Sequence, residues 1–246
     1  MALQGSTRQL PEVVVLARLF EMTALTCPTA PAIKDARHDV WLSYQHLNQR
    51  ANALARCLLR RLRDNACSNP DGDRVVAVCM APTSHLVTSL LAIHKAGAAY
   101  LPLDVTFPES RVAHILQDAR PALLLAHGRP RAVQAAQAAQ QVDNNVPVLH
   151  LEDLHAELLS DGKTSDEELT PIEVGLNANG SSVAMVLYTS GSTRCSEGSS
   201  VIPQGSSKSP GLAVCCFKTA LTFVDSISEI FGPLLTGHPL VVIPRY

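Results

Sequence analysis

The chain of 246 residues has little excess charge of either sign, since 20 Lys and Arg residues stand against 22 Asp and Glu residues and the formal net charge is −2. A protein that binds nucleic acid through its phosphates needs a basic surface, so nucleic acid is not expected as a partner. The short basic patch of Arg60, Arg61 and Arg63 is instead expected to be the solvent face of a helix.

Long apolar runs are also missing. The stretch from Val13 to Leu16 is interrupted by Arg18 too early for the core of a signal peptide, and no run is long enough to span a bilayer. We therefore expect a cytoplasmic protein without a membrane partner. The seven cysteines form no CxxC pair and no metal-ligand spacing, which favours a reducing compartment and predicts no metal-binding residue. Cys79 is expected to be a buried, inert thiol.

Two further signatures are absent. The phosphate loop GxxxxGK[ST] does not occur, which argues against a P-loop ATPase. There is no internal repeat at the spacing of a solenoid. With 46% hydrophobic and 17% charged residues, the composition is that of a globular protein with one large or two small domains.

What the sequence does contain is an alternation of helical and strand patterns. Apolar spacings of three and four from Tyr44 to Leu62 predict an amphipathic helix, which Ser43 can cap and which we interpret as the first element. Such alternation predicts an α/β fold, with a parallel sheet between helices on both faces. The later pattern predicts helices at Ser84–Lys95, Pro108–Pro121, Arg131–Val142 and Asp225–Leu235, and strands at Arg74–Met80, Ala98–Leu103, Ala122–Ala126, Val146–His150, Val183–Tyr188 and Leu240–Ile243.

Two segments break this alternation. Residues 151–180 turn acidic and are predicted to be a surface connection. Residues 194–213 are rich in serine, glycine and proline, show neither helical nor strand periodicity, and are predicted to be irregular.

The tract Tyr188-Thr189-Ser190-Gly191-Ser192-Thr193 directly follows a predicted strand. Backbone N–H groups and hydroxyls in such a turn can converge on phosphate oxygens, and Gly191 permits close approach of the backbone. Taken alone, a cluster of serine, threonine and glycine is more often an ordinary loop. The tract is therefore a candidate phosphate site whose interpretation depends on the rest of the chain.

Four blocks in a fixed order supply that context. They are Leu42-Ser43-Tyr44 with Asn48 and Asn52, His94–Asp104 with Pro108 and Arg111, the tract from Tyr188, and Phe223–Ser226 with Glu229, Phe231, Gly232 and Leu235. Together they resemble the adenylation domains of non-ribosomal peptide synthetases, which are adenylate-forming (AMP-binding) enzymes. The resemblance implies that residues 1–246 are an incomplete, amino-terminal part of an ANL-type fold, with layered, mostly parallel sheets flanked by helices.

The resemblance also implies an ATP-dependent ligase that uses Mg²⁺. In this family a carboxylate attacks the α-phosphorus of magnesium-bound ATP, which gives an acyl adenylate and pyrophosphate. The acyl group then passes to phosphopantetheine on a carrier domain, which is not present in this chain. By the resemblance, the ATP phosphates bind to Thr189, Ser190, Gly191, Ser192, Thr193 and Gly198, and no residue is assigned a catalytic role.

The stretch from Phe217 to Ser226 looks like that of family members that join β-alanine to a biogenic amine. This likeness implies that Phe223, Val224 and Asp225 bind the amino acid, with Asp225 holding the β-ammonium group. In domains that activate α-amino acids the corresponding Asp directly follows the phenylalanine, whereas Asp225 comes one residue later, which suits an ammonium one methylene further from the carboxyl. From the residues alone, Asp225 can also be an N-cap or first-turn acid of a helix, and Phe223 a core aromatic.

Departures from the family pattern lead us to expect little or no adenylation by this chain alone. The positions of the family's glycine, proline and lysine after the phosphate tract hold Arg194, Ser196 and Glu197. The link from the tract to Phe217 is shorter than in the family, as in a splice variant or a misjoined gene model, and the adenine-stacking motif, the ribose-binding aspartate and the carboxy-terminal subdomain are not in the sequence. One alternative is a non-catalytic product, either a truncated isoform that binds a partner or a fragment that does not persist, for which an exposed sheet edge and apolar face favour association. The other is an acyl-CoA ligase that does not require Asp225.

Overall fold

The computed structural model describes residues 15–36, 41–64, 74–128, 146–154, 183–188, 194–195 and 214–244. Helices and strands alternate through most of this part of the chain. In order they are α1 (Leu16–Thr26), β1 (Pro31–Asp35), β2 (Trp41–Ser43), α2 (Tyr44–Asp64), β3 (Val75–Cys79), α3 (Ser84–Lys95), β4 (Ala99–Pro102), α4 (Glu109–Ala119), β5 (Leu123–Ala126), β6 (Val148–His150), β7 (Leu187–Tyr188), β8 (Arg194–Cys195), β9 (Cys215–Phe217), α5 (Asp225–Thr236) and β10 (Leu240–Val242).

The first sheet has the strand order β2-β1-β10-β9. β1 and β10 are parallel, with Ile33 opposite Leu240, and β10 and β9 are parallel, with Leu240 opposite Cys215. β2 runs antiparallel to β1. Strands that are far apart in the sequence therefore lie side by side in this sheet.

The second sheet has the strand order β4-β3-β5-β6, and all of its strands are parallel. β7 and β8 form a separate antiparallel pair, and Met185, just before β7, forms a bridge with Tyr100 of β4. The predicted α/β fold, with mostly parallel sheets and flanking helices, is confirmed.

The second sheet is buried on both faces. Val76 and Val78 of β3 belong to a large apolar cluster that also holds residues of α2, α3 and the first sheet. Val75 and Ala77 belong to a second cluster, which includes the apolar stripe of α4. Successive side chains of a strand point to opposite faces, so a continuous apolar run serves both clusters.

Helix α2 forms where its pattern predicts. Ser43 caps it, because its Oγ accepts the N–H of His46 at 3.2 Å. The apolar stripe that includes Tyr44, Leu47 and Leu58 is buried in the large cluster. The nearby arginines 60, 61 and 63 are exposed, as expected of a solvent face.

The prediction that α2 is the first element was wrong, because α1, β1 and β2 precede it. Val15 occupies the N-cap position of α1 without a side-chain hydrogen bond, and the first turn has no acidic residue. The usual start signals of a helix are therefore missing from α1.

The predicted acidic connection and the predicted irregular segment both begin with regular structure. Residues 151–154 form a helical turn that buries Leu151 and Leu154, so the predicted acidic connection at 151–180 starts in the core. Residues 194–195 form β8 because the backbone of β7 is available to pair with them, although the segment 194–213 was predicted to be irregular. The remainder of both segments, and the predicted helix at 131–142, lie outside the described residues. In the part of the chain that the structure describes, no helix is both long and apolar enough to cross a membrane.

Candidate functional site

The predicted amino-acid-binding residues lie together in the structure. Phe223, Val224 and Asp225 occupy the end of the loop after β9 and the first residue of α5. All three are exposed, Phe223 by 63% and Val224 by 58%. They follow the carboxyl end of a strand in a mostly parallel sheet, which is where open α/β sheets bind ligands.

The structure bears on the structural roles considered for Asp225 and Phe223, while their role in binding the amino acid stays a prediction. The prediction of an N-cap role for Asp225 was wrong, because Val224 occupies the N-cap position and Asp225 is the first helical residue. The first-turn role is confirmed, and the helix dipole there stabilises a negative charge. The prediction that Phe223 is a core aromatic was also wrong, because the side chain is mostly exposed.

The start of α5 is held by short-range hydrogen bonds. Ser226 is fully buried, and its Oγ donates to the carbonyl of Phe223 at 2.7 Å. The N–H of Phe223 donates to the carbonyl of Ala220 at 2.9 Å, and that of Ile227 to the carbonyl of Val224 at 3.1 Å. The candidate site is therefore an ordered turn.

Glu229 fixes the other end of this loop. Its Oε2 accepts the N–H groups of Lys218 and Thr219, both at 2.9 Å, and its Oε1 accepts the Thr219 hydroxyl at 2.6 Å. Burial of the carboxyl opposes its ionisation, but the hydrogen bonds from Thr219 and Lys218 outweigh burial and lower the pKa of Glu229 below its ordinary value. The sequence places Glu229 in the fourth block without indicating its role; a signal for that role is the hydroxyl-bearing Thr219, two residues after the end of β9.

The structure describes the residues on either side of the phosphate tract. Tyr188 of β7 lies opposite Arg194 of β8, and the Tyr188 hydroxyl donates to Asp118 Oδ2 of α4. The six residues predicted to bind phosphate lie outside the described part, and their role stays a prediction: Thr189, Ser190, Gly191, Ser192, Thr193 and Gly198. The tract and the Phe223–Asp225 segment thus follow strands of different sheets.

Charged groups in the core were not anticipated from the sequence. Lys95 is fully buried in α3, and its Nζ donates to Glu21 of α1. Arg18 also pairs with Glu21, at 3.1 Å. A buried charge without a partner costs several kcal/mol of stability, so the buried Lys95 depends on Glu21. The pair thereby links α1 to α3.

Two further predictions concern metal ligands and the thiol of Cys79. In the described ranges, no group of three His, Cys, Asp or Glu residues is arranged to hold a metal ion. Cys79 is buried in β3, and burial, with a smaller contribution from Asp104, raises its pKa to about 12. A thiol in that state is a poor nucleophile, and the prediction of an inert Cys79 is confirmed.

Comparison with known proteins identifies the class. The sequence profile described as AMP-binding enzyme matches residues 20–193, and the chain belongs to this family. It is 39% identical over 216 residues to the β-alanyl-bioamine nonribosomal peptide synthetase ebony of Drosophila melanogaster, an alignment that covers 82% of this chain and 23% of that protein. It is 38% identical over 241 residues to novobiocin biosynthesis protein H of Streptomyces niveus, covering 94% of this chain and 38% of the relative. The chain thus spans well under half the length of these relatives.

Solved structures share the fold. The non-ribosomal peptide synthetase FmoA3, bound to α-methyl-L-serine-AMP, matches with a TM-score of 0.72 at 21% identity, over 98% of this chain and 25% of that one. VinN in complex with L-aspartate matches with a TM-score of 0.69 at 17% identity, over 96% of this chain and 64% of that one. The predicted family and the predicted adenylate-forming fold, of which this chain covers a part, are both confirmed.

Proposed function

We propose that this chain carries the amino-acid-binding and phosphate-binding parts of an adenylation domain that activates β-alanine with ATP, for amide formation with a biogenic amine. The observation that carries the proposal is the exposed Asp225 carboxylate at the start of α5, one residue after an aliphatic Val224. The similarity to ebony, whose name describes a β-alanyl-bioamine synthetase, supports it.

Asp225 is suited to hold an ammonium group. Among the described residues, its carboxylate has no hydrogen-bond or ion-pair partner. It lies in the first turn of α5, where the helix dipole favours a negative charge. A charge-assisted hydrogen bond to the substrate ammonium is then stronger than one between neutral groups.

The position of Asp225 favours a β-amino acid. Val224 stands directly after Phe223 and offers no charge, so an ammonium group must reach one residue further along the chain to meet a carboxylate. In β-alanine the ammonium lies one methylene further from the reacting carboxyl than in an α-amino acid. We therefore propose that Val224 excludes α-amino acids as good substrates and that Asp225 selects β-alanine.

The residues of the phosphate tract favour ATP binding, whereas Glu197 just after the tract disfavours it. Hydroxyls and the backbone around Gly191 suit phosphate oxygens. Glu197 stands where the family has lysine, so a carboxylate replaces an ammonium group and repels the triphosphate. The interaction energy of two unit charges at about 4 Å and an effective dielectric near 20 is roughly 4 kcal/mol. We propose that residues 189–193 and Gly198 hold the phosphates of ATP with Mg²⁺, that Glu197 weakens this binding, and that phosphopantetheine of a carrier domain receives the acyl group.

Titration calorimetry with the purified 246-residue chain tests the amino-acid site. We expect β-alanine to bind more tightly than L-alanine, and Asp225→Ala to weaken β-alanine binding by about tenfold or more, since a hydrogen bond to a charged group contributes roughly 1.5–3 kcal/mol. Ser228→Ala is the matched control, because Ser228 is exposed on the same helix and, within the described ranges, its hydroxyl donates only to the backbone carbonyl of Asp225.

Two results would contradict the proposal. Equal binding of β-alanine by the chain and by Asp225→Ala would favour an acyl-CoA ligase, and absence of β-alanine binding would remove the amino-acid site. We also expect pyrophosphate exchange with ATP, Mg²⁺ and β-alanine to stay near background because of Glu197; rapid exchange would show that Glu197 does not impair the site.

A further inference from the structure

Glu229 lies one turn after Asp225 on α5, and its carboxylate is directed back to the chain leaving β9. Both carboxylate oxygens are engaged, one by the N–H groups of Lys218 and Thr219 and the other by the Thr219 hydroxyl. A side chain of the helix therefore fixes the first two residues after the strand.

These bonds close one end of the loop that carries the candidate amino-acid site. The other end is closed by the bonds from Ser226 and Phe223 to the carbonyls of Phe223 and Ala220. On the strand side, Phe217 is fully buried, and its carbonyl accepts the N–H of Ile243. Glu229 is thus a direct hydrogen-bonded link between the first turns of α5 and the chain that leaves β9 of the first sheet.

Three donors converge on Glu229, and a carboxylate is well suited to them because it is an acceptor at both oxygens. A glutamine would keep one carbonyl oxygen for the two N–H groups. Its amide nitrogen could donate to the Thr219 hydroxyl, which can turn to accept. An alanine would leave two N–H groups and a hydroxyl without this acceptor.

We propose that Glu229 is a positioning residue of the amino-acid site, which holds Phe223, Val224 and Asp225 in the orientation that binds substrate without itself contacting it. This inference rests on the proposed function for the identity of the ligand. The role of Glu229 in ordering the loop does not depend on the proposed function, because amide exchange measures that order without any ligand.

The test uses the full chain with Glu229→Ala, Glu229→Gln and the control Ser228→Ala. With Glu229→Ala we expect the amides of Lys218, Thr219 and Phe223 to exchange about tenfold faster or more, while amides in the remainder of α5 keep their protection. We expect β-alanine binding to weaken by about tenfold, since interactions with a charged acceptor are lost. Glu229→Gln should restore both properties to within about threefold, and Ser228→Ala should change neither.

A purely structural role of Glu229 would give different results for amide exchange and β-alanine binding. If Glu229→Ala raised exchange throughout α5 and β9, or if Glu229→Gln failed to restore β-alanine binding while restoring exchange, the positioning role would be overturned. Should Glu229→Ala not fold, Thr219→Val removes one of the three bonds, and we expect it to weaken β-alanine binding by about threefold.

Failure of the proposed function is separable from failure of this inference. If the wild-type chain binds no β-alanine, the proposed function fails, and the exchange experiment still decides whether Glu229 orders residues 218–225. If exchange at Lys218, Thr219 and Phe223 is unchanged in Glu229→Ala, the inference fails whatever the chain binds.

Discussion

His94 lies in the core between aromatic rings. Its ring makes edge contacts with Tyr100 and Phe231, each at 5.5 Å between centroids. Among the described residues its Nε2 has no hydrogen-bond partner, and burial lowers the pKa of His94 from 6.5 to about 4. The folded protein therefore keeps this imidazole neutral at pH values where the unfolded chain is protonated.

We expect His94→Leu to reduce the loss of stability in acid. Because the folded pKa lies below the unfolded one, the unfolded state gains the proton first, and stability falls as pH drops from about 6.5 towards 4. At about pH 5 this penalty is roughly 2 kcal/mol, since each unit below the unfolded pKa is worth about 1.4 kcal/mol. Thermal unfolding at about pH 7.5 and 5 measures it. The exposed His114→Gln is the control, and equal acid sensitivity of His94→Leu and wild type would contradict the prediction.

At the scale of elements, the carboxyl end of α5 is held by other helices. The helix ends at Thr236 and is followed by the capping residue Gly237, whose φ of 79° is a left-handed conformation that glycine adopts without strain. The hydroxyl of the buried Tyr44, at the start of α2, donates to the carbonyl of His238 at 3.1 Å and lies 3.3 Å from that of Pro233. Thr23 of α1 donates to the carbonyl of Leu235 at 3.0 Å.

We expect Tyr44→Phe to lower the free energy of unfolding by about 1–2 kcal/mol, because a partly buried carbonyl loses its donor. Urea unfolding followed by circular dichroism measures the change. Thr26→Val is the matched control, since it removes an exposed hydroxyl that donates to the carbonyl of Met22 near the end of α1, and its effect should stay within about 0.5 kcal/mol. A loss of less than about 0.5 kcal/mol for Tyr44→Phe would show that Tyr44 contributes through its ring alone.

Elements whose signals are local could be predicted from the sequence. Helix α3 has the predicted bounds, from Ser84 to Lys95, and α2 begins after the predicted cap. Helix α1 could not be predicted in the same way, because Val15 provides no cap, and β1 depends on partners about 200 residues away in the sequence.

In the candidate site, too, the residues with a local sequence signal could be predicted and the contacts between distant residues could not. A short motif marks Phe223 and Asp225, and the structure brings them together at the start of α5. The bonds from Lys218 and Thr219 to Glu229, and the pairing of Lys95 with Glu21, depend on how the chain packs, which no spacing along the sequence reveals.

At the scale of the whole molecule, the first sheet depends on β10. Leu240 is fully buried and lies opposite Ile33 in the parallel pair of β1 and β10. We expect Leu240→Ala to cost about 2–5 kcal/mol of unfolding free energy, because a large buried side chain leaves a cavity. Ile243→Ala, at a residue exposed by 38%, is the control and should cost less than about 1 kcal/mol.

Urea titration of both variants checks this prediction. A similar small loss for the two would mean that the pairing of β1 with β10 contributes little to stability. The chain is also predicted to associate through a sheet edge, and the edge strands are β2 and β9 in the first sheet and β4 and β6 in the second. Sedimentation of the wild-type chain at increasing concentration tests this prediction.

The pairing of β1 with β10 also bears on synthesis. Ile33 emerges from the ribosome roughly 200 residues before Leu240, an interval of about 10–40 s at ~5–20 residues per second. During that interval the nascent β1 has an open parallel edge. Unpaired strand edges are prone to aggregate, so the time before β10 is made is the interval in which this sheet is most exposed to aggregation.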